Sequence, residues 1–450
     1  MRPDGTERTG RAPGTGCLPL AGGSHVPNSD REKQCPMSGM ERLTVIAGGD
    51  VMLPDGLARR ASVVIERGKI AAIMGGDQAP SDGTEVIDAR GLIVLPGFVD
   101  IHCHGGGGES FDTPSPEGMA TILATHARGG TTAMVAALAA KPQHERHAVL
   151  GRLREYASSQ EPGYPELLGA YVEGPYFSGV ERGAQPETSI TAPTRADYEP
   201  TLQQFGDFIQ VWSLAPELPG AMDFIRALTT RGIVAALGHS DASHEDVLAA
   251  IDAGTRLVTH VYCAQSTFHR HVAEKKLGLA EMALLRDELT VEIIADGKHL
   301  PPLLLQLVLK NKRPREACVI TDAMPAAGLP PGTYRFLGSE IRVTDEVAYR
   351  PDGQRYAGSV LTMGKALRNI IRHGGVDLRD AVQMLSETPA ALMGVSQRKG
   401  GIRAGKDADL VILDGHLRVR DVFCRGHRIP RRRATPGDAE QSGLSLREDA

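Results

Sequence analysis

Phe98-Val99-Asp100-Ile101-His102-Cys103-His104 is the stretch on which the reading of this chain turns. An apolar, strand-like run leads into two histidines spaced i, i+2, and Gly105 to Gly108 follow. In a strand, residues two apart point to the same face. A His-x-His at a strand end therefore offers both imidazoles to one ion, and the glycines let backbone pass close to a ligand. Histidine is common here, at fifteen residues, so spacing alone is a weak signal. The second pair, His269 and His271, sits in a loop-like stretch and is the weaker metal candidate.

The same layout, an apolar run closed by a polar residue, recurs downstream. Strand-like runs are Phe98–His102, Thr132–Leu138, Leu168–Glu173, Ile209–Leu214, Ile233–Leu237, Leu257–His260, Thr290–Ala295 and Cys318–Asp322. Helix-like stretches separate many of them, among them Pro116–Arg128, Gln143–Ala157, Ala221–Thr230, Ser243–Ala253 and Leu300–Lys310. Strands alternating with helices over this length fit an α/β (β/α)8 TIM-type barrel, which typically takes about 250 residues. A doubly wound open sheet is the competitor. The polar residues favour the barrel, because such barrels carry their chemistry at the C-terminal strand ends.

Outside this middle, Leu43 to Val94 reads as short strands and turns, with Val63–Ile70 a hairpin around Gly68. The style returns at Asp409–Asp414 and Val419–Phe423. The expected organisation is a small β-sandwich domain formed from both ends of the chain (41–95 and 397–430) and a catalytic barrel over 96–396. A Gly-, Pro-, Ser- and Arg-rich extension (1–40) is expected to be disordered, and the tail (431–450) flexible.

The chain has 450 residues, 50 Lys plus Arg against 55 Asp plus Glu, and a formal net charge of −5. No basic face suggests nucleic acid, and no apolar run reaches membrane-spanning length. Six scattered cysteines are not a disulfide framework, so a reduced, cytoplasmic protein is expected.

The strand-end residues form a candidate metal site. Glu173, His239 and His260 give three ligands and leave a position for water, as a catalytic zinc site requires. His102 and His104 are candidates for a second ion. Asp322 ends the last strand, where an acid can take a proton from water and deliver it to a leaving group; its structural alternative is a helix cap. Such nitrogen and carboxylate donors suit zinc, iron and other first-row ions.

With these residues in place, the chain resembles the amidohydrolase superfamily and, more narrowly, its N-acetylglucosamine-6-phosphate deacetylase family. The resemblance rests on Pro96–Gly106, Glu173-Gly174-Pro175-Tyr176, Gly238-His239-Ser240, Thr259-His260, Ile294–His299, Val319–Ala323, Gly358–Met363 and Ala404–Val411, in that order. It covers about residues 43 to 430. It implies a homodimeric deacetylase of an N-acetylated amino-sugar phosphate that holds one or two divalent ions, zinc or iron. Glu173, His239 and His260 would be the principal ligands, His102 and His104 the second-ion ligands, and Asp322 the acid–base residue. Ala184, Asp296, Gly297, Lys298, His299, Leu361, Thr362 and Met363 align with segments that contact substrate in the family, and His299 would orient the substrate or support the developing oxyanion.

The chain departs from the family after His260. It reads Cys263-Ala264-Gln265 and then His269-Arg270-His271, without the family's Arg-Glu-Pro-Gly. This region holds sugar and phosphate in the family. Cys263, Ala264 and Arg270 are the expected counterparts, with Lys275 and Lys276 as substitutes for Arg270; a solvated loop with incidental charge is the alternative. Rival activities are deacetylation of the galactosamine isomer or of an unphosphorylated sugar, cyclic-amide hydrolysis, and metal-dependent sugar binding without turnover. Cyclic-amide hydrolases of the superfamily often bridge their metals with a carboxylated lysine, and Glu173 occupies that place here.

Overall fold

Eight apolar runs form parallel strands buried on both faces, which is why each reads as a near-continuous apolar string. They are β1 Phe98–Cys103, β2 Thr131–Leu138, β3 Glu166–Glu173, β4 Ile209–Leu214, β5 Val234–Leu237, β6 Leu257–Val258, β7 Thr290–Ile294 and β8 Ala317–Ile320. Each pairs in parallel with the next. The last meets the first just beyond the strands. Cys103 and Ala323 form a parallel bridge, and the Asp322 N–H donates to the His102 carbonyl at 2.9 Å. Buried Asp100 reinforces that seam by accepting from the Thr321 hydroxyl at 2.6 Å and the Thr321 N–H at 3.2 Å. The fold is the expected TIM-type barrel. This computed structural model describes residues 43–77, 84–350 and 352–430; the expected extension 1–40 and tail 431–450 lie outside those residues.

A helix follows every barrel strand: Pro116–Ala127, Gln143–Ser159, Arg195–Phe205, Ala221–Thr229, His244–Ala253, Leu279–Leu285, Pro302–Asn311 and Met363–Gly374. Their starts are locally encoded. Ser115 accepts from the Gly118 N–H, Thr194 from Asp197, and Ser243 with Asp246 closes a capping box. The helices after β3, β6 and β8 were not among those read from sequence. The first carries Pro200 inside it, and the second is only seven residues long.

A second sheet of eight strands draws on both ends of the described chain, from Thr44–Leu53 through Ile93–Pro96 to Leu410–Leu413 and His427–Arg428. Its hairpin turns at Arg67-Gly68, both at positive φ (+50° and +74°), as a two-residue turn between twisted strands demands. Leu410–Leu413 shows how it meets the barrel. Val411 and Leu413 enter the barrel's core, while Leu410 and Ile412 enter a separate cluster with Ile46, Val63 and Phe423. Lys399 is buried at the same junction. Its ammonium lies 2.9 Å from Glu166 at the start of β3, 3.0 Å from Asp407 and 2.7 Å from Asp409.

Two insertions rise from the C-terminal strand ends. Residues after β6 form a short antiparallel hairpin, His269–His271 with Glu274–Lys276, where the sequence suggested a loop. Residues after β8 form a three-stranded sheet, Gly332–Phe336, Ser339–Val343 and Ala348–Tyr349, over a small cluster that includes Met324, Phe336 and Ile341.

Candidate active site

The C-terminal ends of five barrel strands bring six side chains to one point. Glu173 closes β3 and stands at the centre. Its Oε1 is 3.0 Å from His239 Nε2 and 3.2 Å from His260 Nε2, and those two nitrogens are 3.2 Å apart. Its Oε2 is 3.3 Å from His104 Nε2. His102 Nε2 lies 3.3 Å from His104 Nε2 and 3.7 Å from Glu173 Oε1. Asp322 Oδ1 is 3.4 Å from His104 Nε2 and 3.8 Å from His102 Nε2. The carboxylate of Glu173 thus stands between two imidazole pairs.

The backbone explains the aim. His239, His260 and Asp322 lie just past the ends of β5, β6 and β8, and their φ angles are +49°, +24° and +47°. Left-handed backbone at non-glycine residues is costly, and it turns each side chain off its strand and into the mouth. His102 on β1 and His104, one residue past its end, instead share a face by strand alternation.

Neighbouring groups fix the imidazole tautomers. His102 Nδ1 donates to Glu292 on β7 at 3.0 Å, and His239 Nδ1 donates to the Glu181 carbonyl at 3.2 Å. Each leaves its Nε2 lone pair facing the centre, the arrangement of metal-ligating histidines. Such lone pairs, gathered with carboxylate oxygens in a buried site, repel unless protons or a cation lie among them. Protons are held tightly there. Burial opposes charge on His104, but Asp322 and Glu173 outweigh it and hold its pKa well above the usual value. Burial likewise opposes charge on His260, yet Glu173 raises it to about 9. Burial disfavours the Glu173 carboxylate, but hydrogen bonds from His104, His239 and His260 hold it well below the usual range. For Asp322 too, burial is outweighed by His104, His102 and His260, and the group stays ionised. The donor set fits a divalent cation on either side of Glu173: His239 with His260, and His102 with His104.

Above this floor lies a cavity of about 560 Å³. His104, Glu173, His239, His260 and Asp322 line it, as do Ala184, Cys263, Ala264 and His299. His299 is held by Asp296, whose Oδ2 takes the Nδ1 proton at 2.6 Å while Oδ1 accepts the backbone N–H groups of Lys298 and His299. Burial pushes the Cys263 thiol pKa up, so it is a neutral wall residue.

Other expected contacts lie elsewhere. Leu361 and Met363 belong to the apolar core, and Thr362 is the N-cap position of the last barrel helix. Lys298 pairs with Glu346 at 2.9 Å, and Gly297, like Asp296, lies outside the lining. Arg270 is exposed on the short hairpin, paired in register with Lys275, and it does not line the cavity; nor do Lys275 and Lys276.

Sequence reasoning missed five contributors. Glu292 is fully buried, and its Oε2 also accepts the His260 N–H at 3.1 Å; a lone acid inside the apolar run Thr290–Ile294 was its signal, since buried charge demands a partner. Gln185 is buried, donates to Glu173 Oε2 and accepts the Ala140 N–H at 2.9 Å. Arg355, with Tyr356 and Phe336, lines the cavity from the insertion after β8.

The comparisons agree with this geometry. Residues 93–434 match the model of the amidohydrolase family. N-acetylglucosamine-6-phosphate deacetylase of Bacillus subtilis (strain 168) is 32% identical over 367 residues, covering 81% of this chain and 91% of the relative. N-acetylgalactosamine-6-phosphate deacetylase of Escherichia coli O157:H7 is 32% identical over 362 residues, covering 80% and 93%. The crystal structure of N-acetylglucosamine-6-phosphate deacetylase from Pasteurella multocida superposes with a TM-score of 0.80 at 26% identity, covering 86% of this chain and 99% of that one.

Proposed function

Because the chain belongs to the amidohydrolase family, we propose that it is a metal-dependent deacetylase that converts N-acetylglucosamine 6-phosphate to glucosamine 6-phosphate and acetate. The observation that carries this reading is the convergence of four imidazoles, Glu173 and Asp322 beneath a sugar-sized cavity. Similarity to deacetylases of both the glucosamine and the galactosamine 6-phosphates, at equal identity, keeps the galactosamine isomer as the second reading.

In this proposal Glu173, His239 and His260 would hold one ion, and His102 and His104, together with Glu173, would hold a second. Zinc and iron are the proposed metals, since imidazole and carboxylate donors suit both. When bound, such an ion supplies Lewis acidity, easing deprotonation of water and polarising a carbonyl. The chain's own residues handle positioning and protons. Asp322, ionised at neutral pH, takes the proton of the attacking water at its carboxylate and returns it to the amine nitrogen as the amide C–N bond breaks. His299, fixed through Nδ1 by Asp296, presents Nε2 to the substrate and orients it. Glu292 and Gln185 hold His102 and Glu173 in place, so the site needs little rearrangement during reaction.

A homodimer in the cytoplasm completes the proposal; among the described residues no helix is long and apolar enough to cross a membrane. The test is a panel of N-acetylglucosamine and N-acetylgalactosamine, each with and without a 6-phosphate, assayed for primary amine and acetate. Fastest turnover is expected on N-acetylglucosamine 6-phosphate. Absence of amine release from every member, with metal bound, refutes the deacetylase reading.

A further inference from the structure

The proposed substrate carries a dianionic group, and such a group needs a cationic donor. Among the described residues lining the cavity, Arg355 is the one lysine or arginine. Arg270 and its neighbours Lys275 and Lys276 stand outside it. We infer that Arg355, supplied from the insertion after β8, is the residue that recognises the substrate's phosphate. This rests on the deacetylase reading above and deepens it.

The loop that carries Arg355 is built to hold it at the rim. Arg350 N–H donates to the Arg355 carbonyl and Gly353 N–H to the Arg350 carbonyl, both at 2.9 Å, which closes a tight turn. Gly353 has φ +67°, and the Gln354 N–H is taken by the Asp352 carboxylate at 2.9 Å. Tyr349 and Tyr356 form an antiparallel bridge at its base, and the Tyr356 ring lies 4.8 Å from that of His299. The turn is also tied across the mouth, because Arg350 Nη1 donates to the Ala184 carbonyl at 3.3 Å. Arg350 is thereby engaged, whereas the Arg355 guanidinium has no hydrogen-bond or ion-pair partner among the described residues. Glu181, also in the lining, feels the Arg355 charge, but burial dominates its titration and moves it toward the neutral form.

The chemistry of the substrate matches this layout. In a hexosamine 6-phosphate the acetamide and the phosphate leave opposite sides of the sugar ring. The candidate metal ligands are buried at the floor, and Arg355 is exposed at the rim. A sugar with its acetamide down places its phosphate up. Planar guanidinium is the donor best suited to bidentate recognition of that group.

The test is the ratio of kcat/KM on N-acetylglucosamine 6-phosphate to that on N-acetylglucosamine, measured for metal-loaded wild type, Arg355→Ala and Arg270→Ala. Loss of a charge-assisted phosphate contact should lower the ratio by about 10- to 100-fold in Arg355→Ala, mainly through KM for the phosphorylated sugar. Arg270→Ala should leave the ratio near that of wild type. A ratio preserved in Arg355→Ala overturns the inference. So does a fall carried by Arg270→Ala, which would point to a cation delivered by the hairpin of a second copy, and so does a wild-type ratio near one. If melting curves show Arg355→Ala to be unfolded, Arg355→Gln is scored on the same ratio. Absence of turnover on both sugars in wild type refutes the deacetylase reading instead.

Discussion

Replacing Glu292 by glutamine removes one charge and almost no volume from a position that does not touch the cavity. The buried carboxylate accepts from His102 Nδ1 at 3.0 Å and from the His260 N–H at 3.1 Å, both through Oε2. Its Oε1 has no hydrogen-bond partner among the described residues. In Glu292→Gln the amide oxygen can keep both bonds, and the amide nitrogen inherits the unpartnered position. What is lost is the negative charge that accepts the His102 Nδ1 proton, and a newly buried N–H pair is left unsatisfied. Outer carboxylate partners of this kind are worth about 10- to 100-fold in metal affinity, or roughly 1.4–2.7 kcal/mol. We expect that loss in calorimetric titration of the apo-protein with zinc against a competing chelator. It should fall on the His102 and His104 side more than on the His239 and His260 side, so a two-step isotherm should lose its first-pair component preferentially. Affinity within twofold of wild type in both steps would refute the role given to Glu292.

Three further outcomes follow from the site and its frame. Asp322→Asn should lower kcat by about 10²- to 10⁴-fold with metal content near normal by elemental analysis; unchanged kcat removes Asp322 from proton transfer. Metal affinity should rise with pH up to about 9, because the proton on His260, whose pKa is raised to about 9, must leave before the ion binds. The expected slope is about one decade per pH unit for each proton displaced, and a flat profile between pH 6 and 9 would contradict it. Lys399→Met should destabilise the fold by about 3–5 kcal/mol, since it leaves Asp409 buried without its cation; a midpoint in urea unchanged from wild type would show the cluster to be neutral.

Much of the architecture was legible because parallel barrel strands must be apolar on both faces. Thr131–Leu138 and Phe98–Cys103 are buried along their whole length, and their sequences say so. His239, His260, Glu173 and Asp322 were legible for the complementary reason, as polar residues that end apolar runs. What sequence did not disclose depends on closure in three dimensions. Glu292 stands inside an apolar run, and its partner His102 lies 190 residues earlier, on a strand that comes near it only when the barrel closes. Gln185 lies in an irregular loop, and nothing local says that it meets Glu173. Arg355 reaches the mouth through an insertion whose strands, such as Gly332–Phe336, are half exposed and carry no strong periodicity. Arg270 drew attention by its type and by alignment with a divergent segment, while its hairpin carries it to the surface.

The left-handed backbone at His239, His260 and Asp322 has an energetic corollary. Each such residue costs on the order of 1–2 kcal/mol, and whole domains are stable by only about 5–15 kcal/mol. The reactive mouth is therefore a net liability to folding that the apolar interior must outweigh. Glycine at any of the three would relax its own backbone and abolish a donor in the same stroke. Damage deep in the barrel, far from any reacting atom, should accordingly reach chemistry first by letting these three torsions unwind.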